Sequence, residues 1–449
     1  MTITILIIYL IALIFIAITS NKKVNNFNDF FVAGKKGSYF AITGSLLATI
    51  LGGSAVIGSI DAGKTMGWAS SWFMLSASVG LLVLIPFTKK ISKIGRFTLP
   101  ELLEDIYNTK TKNIASAIIP LAWLGVVAAQ IIAAAKILQS FTGMSYETGV
   151  IISGLVFVFY TVAGGQISIL KTDSIQAALI VAGLFTIAAF VFAGNQAASV
   201  QNALSFPFNY NFKPIDLVVL LITYGTTFTV GPDMYSRIFC AKNQQVARKS
   251  ILTTAIILIP VAFTIGYLSI VPTNNQGAHI INISMELLPV WISPLVVIAL
   301  LSAVLSSADT TLLSASIIVT DIFEKNNFNA KSLGKTRVVI ILIGFTSITI
   351  AFFFDSIIEM LLVALTVYSG AFTVPIIAGL AGIKSKANYI SYAIVFGGFI
   401  ALSGKLISYL NININSNLLI VASFFISSLI VTFGALKYKK EKNQNEYNN

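Results

Sequence analysis

Apolar residues run in blocks of about twenty from Thr2 to Leu436, separated by short polar stretches. A helix rising about 1.5 Å per residue needs about twenty such residues to cross the roughly 30 Å hydrocarbon core of a bilayer. A closed barrel would show short strands of alternating polarity, which these blocks do not. The pattern predicts an all-α polytopic membrane protein with 13 transmembrane helices, numbered here as spans 0 to 12. Span 0 covers Thr2–Thr19, span 1 Tyr39–Ile60, span 2 Met66–Phe87, span 3 Ile114–Leu138, span 4 Thr148–Val162 and span 5 Asp173–Phe192. Span 6 covers Leu217–Ile238, span 7 Ile251–Ile270, span 8 Trp291–Asp321 and span 9 Val338–Phe354. Span 10 is Ile358–Leu380, span 11 Tyr389–Leu410 and span 12 Leu418–Leu436. Residues 1–437 read as one transmembrane domain, and 438–449, rich in Lys and Asn, as a disordered cytoplasmic tail.

Three spans break the apolar rule. Span 8 carries Ser302, Ser306, Ser307, Asp309, Thr310, Thr311 and Ser314 in its middle. An ionisable residue at membrane depth is costly and faces a bundle interior or a wet cavity. Ala303, Ser306, Ser307 and Thr310 share one helix face by their spacing. Hydroxyls, a carbonyl and a nearby carboxylate form a hard-oxygen set suited to a hard cation. The alternative for each hydroxyl singly is a bond to its own helix backbone or to a neighbouring helix. Span 1 carries Gly52, Gly53, Gly58 and Gly63, and span 6 carries Gly231–Pro232, so both are expected to be interrupted. Paired interruptions in corresponding segments mark a transporter binding site. Spans 1–5 and 6–10 then form two repeats, about 38–195 and about 215–383, with spans 0, 11 and 12 outside them.

Composition sharpens this picture. The chain is 56% hydrophobic and 10% charged, far from the quarter typical of soluble domains. Its net charge of +12 would suit a nucleic-acid surface, but the positions say otherwise. With the N-terminus outside, 25 of the 29 Lys and Arg fall in inner loops or the tail, Lys22, Lys23, Arg96, Arg237 and Lys325 among them. That is the positive-inside rule, and it puts the C-terminus in the cytoplasm. Met1–Ser20 lacks a basic n-region and reads as a retained span. One Cys and one His leave no disulfide, zinc cluster or His-based triad, and no phosphate-binding loop motif is present. An enzyme is not expected.

The motifs now in hand resemble the sodium:solute symporter family over nearly the whole chain. They are SAVLSSADTTLLSAS from Ser302, YTVAGGQISILKTDSIQ from Tyr160 and GPDMYSRIF from Gly231, with GGSAVIG from Gly52, FTLPELLE from Phe97 and NDFFVAGKK from Asn28. The resemblance implies a LeuT-like five-plus-five inverted repeat with extra helices at both ends. It implies that Na⁺ is the coupling ion, held by carbonyls of Ala48, Leu51 and Ala303 and by the hydroxyls of Ser306 and Ser307. In some members a second Na⁺ site matches Asp173, Asp309 and Thr310. Asp309 stands where members with a well-described second site carry serine, so the pair of carboxylates could instead pair with Lys171 or share a proton.

The implied function is secondary active transport: inward Na⁺ flux drives uptake of a small organic solute by alternating access in the cell (inner) membrane. Partners are the solute, Na⁺ and the lipid bilayer, with no nucleic acid, and a monomer is expected to suffice. The solute cavity is expected among Ser54, Ala55, Trp72, Gln130, Thr226, Phe228, Thr366 and Tyr368. Ser54–Ala55 replaces the acid–amide pair of sugar carriers, and span 1 lacks the tryptophan of the choline branch. A small amino acid or carboxylate is the expected solute. The rivals are a sodium-independent or proton-coupled carrier using Asp173 and Asp309, and a transporter-fold sensor, against which the short tail argues.

Overall fold

The computed structural model describes residues 2–21, 24, 26–94, 97–194, 205–273, 278–324, 328, 330–354, 356–410 and 416–447. Lys22, Lys23, Arg96 and Lys325 of the inner loops and the first repeat's end near 195 lie outside them. Its elements are helical: α1 (Thr2–Asn21), α2 (Phe27–Val32), α3 (Tyr39–Ile50), α4 (Gly53–Met66), α5 (Trp72–Leu84), α6 (Thr88–Ile94) and α7 (Leu99–Ile106). They continue with α8 (Thr109–Thr142), α9 (Tyr146–Ala193), α10 (Pro214–Leu220), α11 (Thr226–Val230), α12 (Pro232–Cys240) and α13 (Gln244–Ser269). The last are α14 (His279–Glu286), α15 (Ser293–Glu324), α16 (Ala330–Phe353), α17 (Ile357–Leu380), α18 (Ala387–Tyr409) and α19 (Ser416–Tyr447).

Helix starts follow from local chemistry. Asn26, Ser38, Asn108, Ser145 and Asn243 each accept an orphan backbone N–H of the first turn. Thr98 and Glu101 form a reciprocal capping box at α7: Glu101 Oε2 accepts the Thr98 N–H at 2.9 Å. Burial holds the Glu101 carboxyl above its ordinary range, against the pull of those backbone amides.

Among the described residues, ten helical stretches are long and apolar enough to cross a membrane. Merging accounts for part of the distance from the sequence count. α9 is 48 residues, about 72 Å at 1.5 Å per residue, more than twice a bilayer core. It carries spans 4 and 5 and turns at Gly165 (φ 59°, ψ −170°), a left-handed position against the Phe30 ring where a Cβ has no room. The inner loop expected between those spans is therefore mostly helix. The stretch Gly53–Ile94 is likewise read as one unit, although short 3₁₀ turns divide it into α4, α5 and α6. The tail read as disordered continues α19 to Tyr447, where Lys386 pairs with Glu441 and the Lys437 ammonium sits 5.3 Å from the Tyr389 ring centre.

α15 is the centre of the molecule, with 89% of its apolar window buried against 28% for α19. It packs on α8, α9 and α16, and also on α3, α4 and α12. α13 joins α3, α4 and α5 into a second group, while α17 bridges α8, α4 and α11 and carries α18 and α19 outside it.

Candidate functional site

Both expected interruptions lie against α15. The first helix pair stops at Ile50 and restarts at Gly53, with Leu51 and Gly52 non-helical between them. The second stops at Val230, and Gly231 is extended (ψ 136°) before Pro232 opens α12. Breaking a helix frees its terminal carbonyls from intrahelical bonds. Ser306 Oγ donates to Ala48 O at 2.9 Å and to Ala303 O at 3.2 Å, and Ser307 Oγ donates to Thr49 O at 2.8 Å. Ala48, Ala303, Ser306 and Ser307 are thus brought together. Leu51 is fully buried beside them, but the carbonyl bonded to Ser307 is that of Thr49. Rotating either hydroxyl would turn its lone pairs toward a cation held by those carbonyls. No thiolate or imidazole takes part, as a hard cation requires.

Asp173, Asp309 and Thr310 also meet, but around a residue that the sequence reading placed in an inner loop. Arg237 of α12 is fully buried. Its Nη2 donates to Asp173 Oδ2 at 3.1 Å, to Thr310 Oγ1 at 2.5 Å and to Thr49 Oγ1 at 3.1 Å, and its Nε donates to Ser45 Oγ at 2.8 Å. Ser45 donates in turn to Asp173. α12 stays helical to Cys240, which carries the guanidinium into the bundle instead of out to the loop. Lys171, the partner considered from the sequence, bonds Ser20 at 3.0 Å instead. Asp309 Oδ1 accepts from Thr310 Oγ1 at 3.4 Å, and its Oδ2 has no hydrogen-bond partner among the described residues. The cluster holds two carboxyl groups and one guanidinium.

Between the two interruptions lies a cavity of about 60 Å³, lined by Thr49, Gly52, Ser54, Ala55, Trp123, Gln130, Tyr224, Thr227, Phe228, Asp233, Ser307 and Thr311 with apolar neighbours. At one probe sphere per water this is room for about four waters. Gln130 Nε2 donates to Ser54 Oγ at 2.6 Å and its Oε1 accepts the Ser54 N–H at 3.2 Å, tying α8 to the first turn of α4. Trp123 Nε1 donates to both Asp233 oxygens at 3.0 and 3.2 Å.

Of the residues expected around the solute, Ser54, Ala55, Gln130 and Phe228 line this cavity. The other four do not. Trp72 stacks on Phe206 at 5.4 Å and donates to Pro207 O, next to the loop before α10. Thr226 turns away to Thr373 at 3.0 Å. Thr366 is buried inside α17, its carbonyl accepting from Ser369. Tyr368 donates to Val230 O at 2.6 Å and buttresses Trp123 from behind, ring centres 4.6 Å apart. A hydropathy reading misses Trp123, Tyr224 and Asp233. The available signal was a polar or aromatic residue within two turns of Gln130 or of the Gly231–Pro232 break.

The chain matches the family model described as sodium:solute symporter family over residues 30–389. It is 23% identical over 381 residues to the sodium/proline symporter of Salmonella typhimurium, covering 77% of this chain and 75% of that protein. It is 24% identical over 366 residues to the sodium/sialic acid symporter of Aliivibrio fischeri, covering 74% and 71%. The structure of a Na⁺-coupled sialic acid symporter in a substrate-bound outward-open state superposes with a TM-score of 0.80 at 19% identity, covering 97% of each chain.

Proposed function

The chain belongs to the sodium:solute symporter family, and from that premise we propose that it couples inward Na⁺ flux to uptake of a small organic solute. The observation that carries this reading is the pair of α15 hydroxyls, Ser306 and Ser307, facing carbonyls of Ala48 and Thr49 where the first helix pair breaks. Na⁺ must exchange its water for a preformed oxygen cage, and half of this cage belongs to α3 and half to α15. The ion therefore favours the arrangement in which those helices are docked. A solute seated between the two interruptions favours the same arrangement. That shared preference is a coupling free energy, and it is reciprocal. Each Na⁺ moving down a membrane potential then contributes about 2.3 kcal/mol per 100 mV toward solute accumulation.

The ion ligands in this reading are Ala48, Leu51, Ala303, Ser306 and Ser307, with Thr49 O as an additional oxygen. Asp173 and Thr310 are held by Arg237, whose guanidinium supplies the positive charge a second Na⁺ would bring. One Na⁺ per cycle follows, with Asp309 as the group left to take a proton. The fold reading is thirteen spans in a five-plus-five inverted repeat, residues 38–195 and 215–383, in the cell (inner) membrane. The two interrupted pairs, α3/α4 and α11/α12, support the repeat, and the basic residues support an external N-terminus and a cytoplasmic C-terminus.

The test is uptake of a panel of radiolabelled metabolites into proteoliposomes, with an inward Na⁺ gradient and again with K⁺. Accumulation that needs Na⁺ and collapses with a sodium ionophore supports symport. Accumulation equal in both salts, and driven by a pH gradient instead, replaces this reading with a proton-coupled carrier.

A further inference from the structure

The cavity wall is chemically lopsided. Asp233 is its one carboxyl group, and no Lys, Arg or His lines it among the described residues. The nearest guanidinium, Arg237, lies one turn further along α12 and is engaged with Ser45, Thr49, Asp173 and Thr310. Asp233 is 7% exposed, and its carboxylate is held by Trp123 Nε1 and by the Ser314 hydroxyl of α15. Three aromatic rings, Trp123, Tyr224 and Phe228, share the cavity wall with it. Tyr224 and Phe228 meet edge to face with centres 5.1 Å apart, and Tyr368 locks Trp123 from outside the cavity. A buried carboxylate sharing a cavity wall with aromatic rings attracts a cation through its charge, and the rings add to it through their quadrupoles. An anionic group placed beside Asp233 would be repelled by it. The ion-site hydroxyls open onto the same cavity at Ser307, but they lie on the α3 side and are already matched to carbonyls.

We propose that Asp233, framed by Trp123, Tyr224 and Phe228, binds the protonated amino group of the transported solute, so that the carrier takes organic amines or amino acids and refuses simple carboxylates and sugars. This rests on the symport reading and names its solute class.

The test uses the full-length purified protein and thermal unfolding, which ligand binding raises by mass action. Na⁺ is first titrated alone against K⁺, so that the ion site is scored independently. A panel of small amines, amino acids, carboxylates and sugars, with proline, pyrrolidine and cyclopentanecarboxylate as one matched trio, is then run in Na⁺. Every compound that raises the melting temperature is expected to carry a protonated amine, and its apparent affinity is expected to fall at least tenfold in Asp233→Asn. Asp233→Glu, which keeps the charge, is expected to recover part of that loss. Stabilisation by a carboxylate or sugar that persists in Asp233→Asn overturns the proposal, and so does a panel in which no amine stabilises. An Asp233→Asn protein that melts lower without ligand, yet keeps its amine affinity, assigns Asp233 to bracing Trp123 and also overturns it. A loss of the Na⁺ shift alone would count against symport and leave the amine assignment to stand or fall on the panel.

Discussion

Arg237 decides what the two buried carboxylates can do. It and Asp173 are both fully buried and 3.1 Å apart, and removing one partner of such a pair strands the other charge at a cost of about 3–5 kcal/mol. Arg237→Gln should therefore lower the melting temperature sharply, and Arg237→Gln combined with Asp173→Asn should regain much of it; a double variant worse than the single would show that the pair is not a closed unit. At the ion site, Ser306→Ala removes one oxygen ligand while leaving the Ala48 and Ala303 carbonyls in place. The Na⁺ concentration for half-maximal uptake should rise roughly 10- to 100-fold, matching the loss of about 1.5–3 kcal/mol for one interaction with a charge; an unchanged Na⁺ dependence would remove Ser306 from the site. The serines were legible because polar residues in an apolar span demand a reason. Arg237 was not, because a basic residue near a span's end is normally a loop residue, and only helix continuation to Cys240 turns it inward. Asp233 was missed because its neighbours Gly231 and Pro232 explained the motif as a break.

At the scale of the element, the interruptions matter more than the helices. A Cβ on Gly52 would fall 2.9 Å from Ser307 Cβ and 3.2 Å from Gln130 Nε2, so the break admits no side chain without moving both. Gly52→Ala should suppress Na⁺-dependent uptake while the protein still inserts. Gly334→Ala, which faces open space, should behave as wild type. α14 carries a different sensitivity. His279 is buried near Lys64, and its imidazole is held from the ordinary 6.5 down to about 4. The His279 backbone N–H donates to Asp61 Oδ1 at 2.6 Å. Unfolded α14 binds a proton below pH 6.5 and folded α14 does not until about pH 4, so the stability is complete above that window and lost as pH falls through it. Hydrogen exchange over 279–286, corrected for intrinsic rates, should quicken between pH 7 and pH 5, and His279→Asn should flatten the dependence. Span positions were legible since bilayer thickness fixes their length. The helical link through Gly165 was not, because one glycine supplies the turn that a polar loop otherwise makes.

For the whole molecule, the orientation read from charge placement can be tested directly. Its one cysteine, Cys240, is fully buried, so Cys240→Ser gives a thiol-free background. Tyr210, before α10, is 75% exposed and belongs to a loop read as external. Lys439, on the C-terminal end of α19, is exposed and belongs to the segment read as cytoplasmic. In whole cells a membrane-impermeant maleimide should label Tyr210→Cys and spare Lys439→Cys until the membrane is opened. The reverse pattern would invert the topology and with it the direction in which Na⁺ and solute are read to move. Labelling of both from outside would mean an even number of crossings between them and would break the thirteen-span count itself. The positive-inside argument makes the first outcome the expected one, because inverting the chain would put nearly all of its excess positive charge on the wrong face.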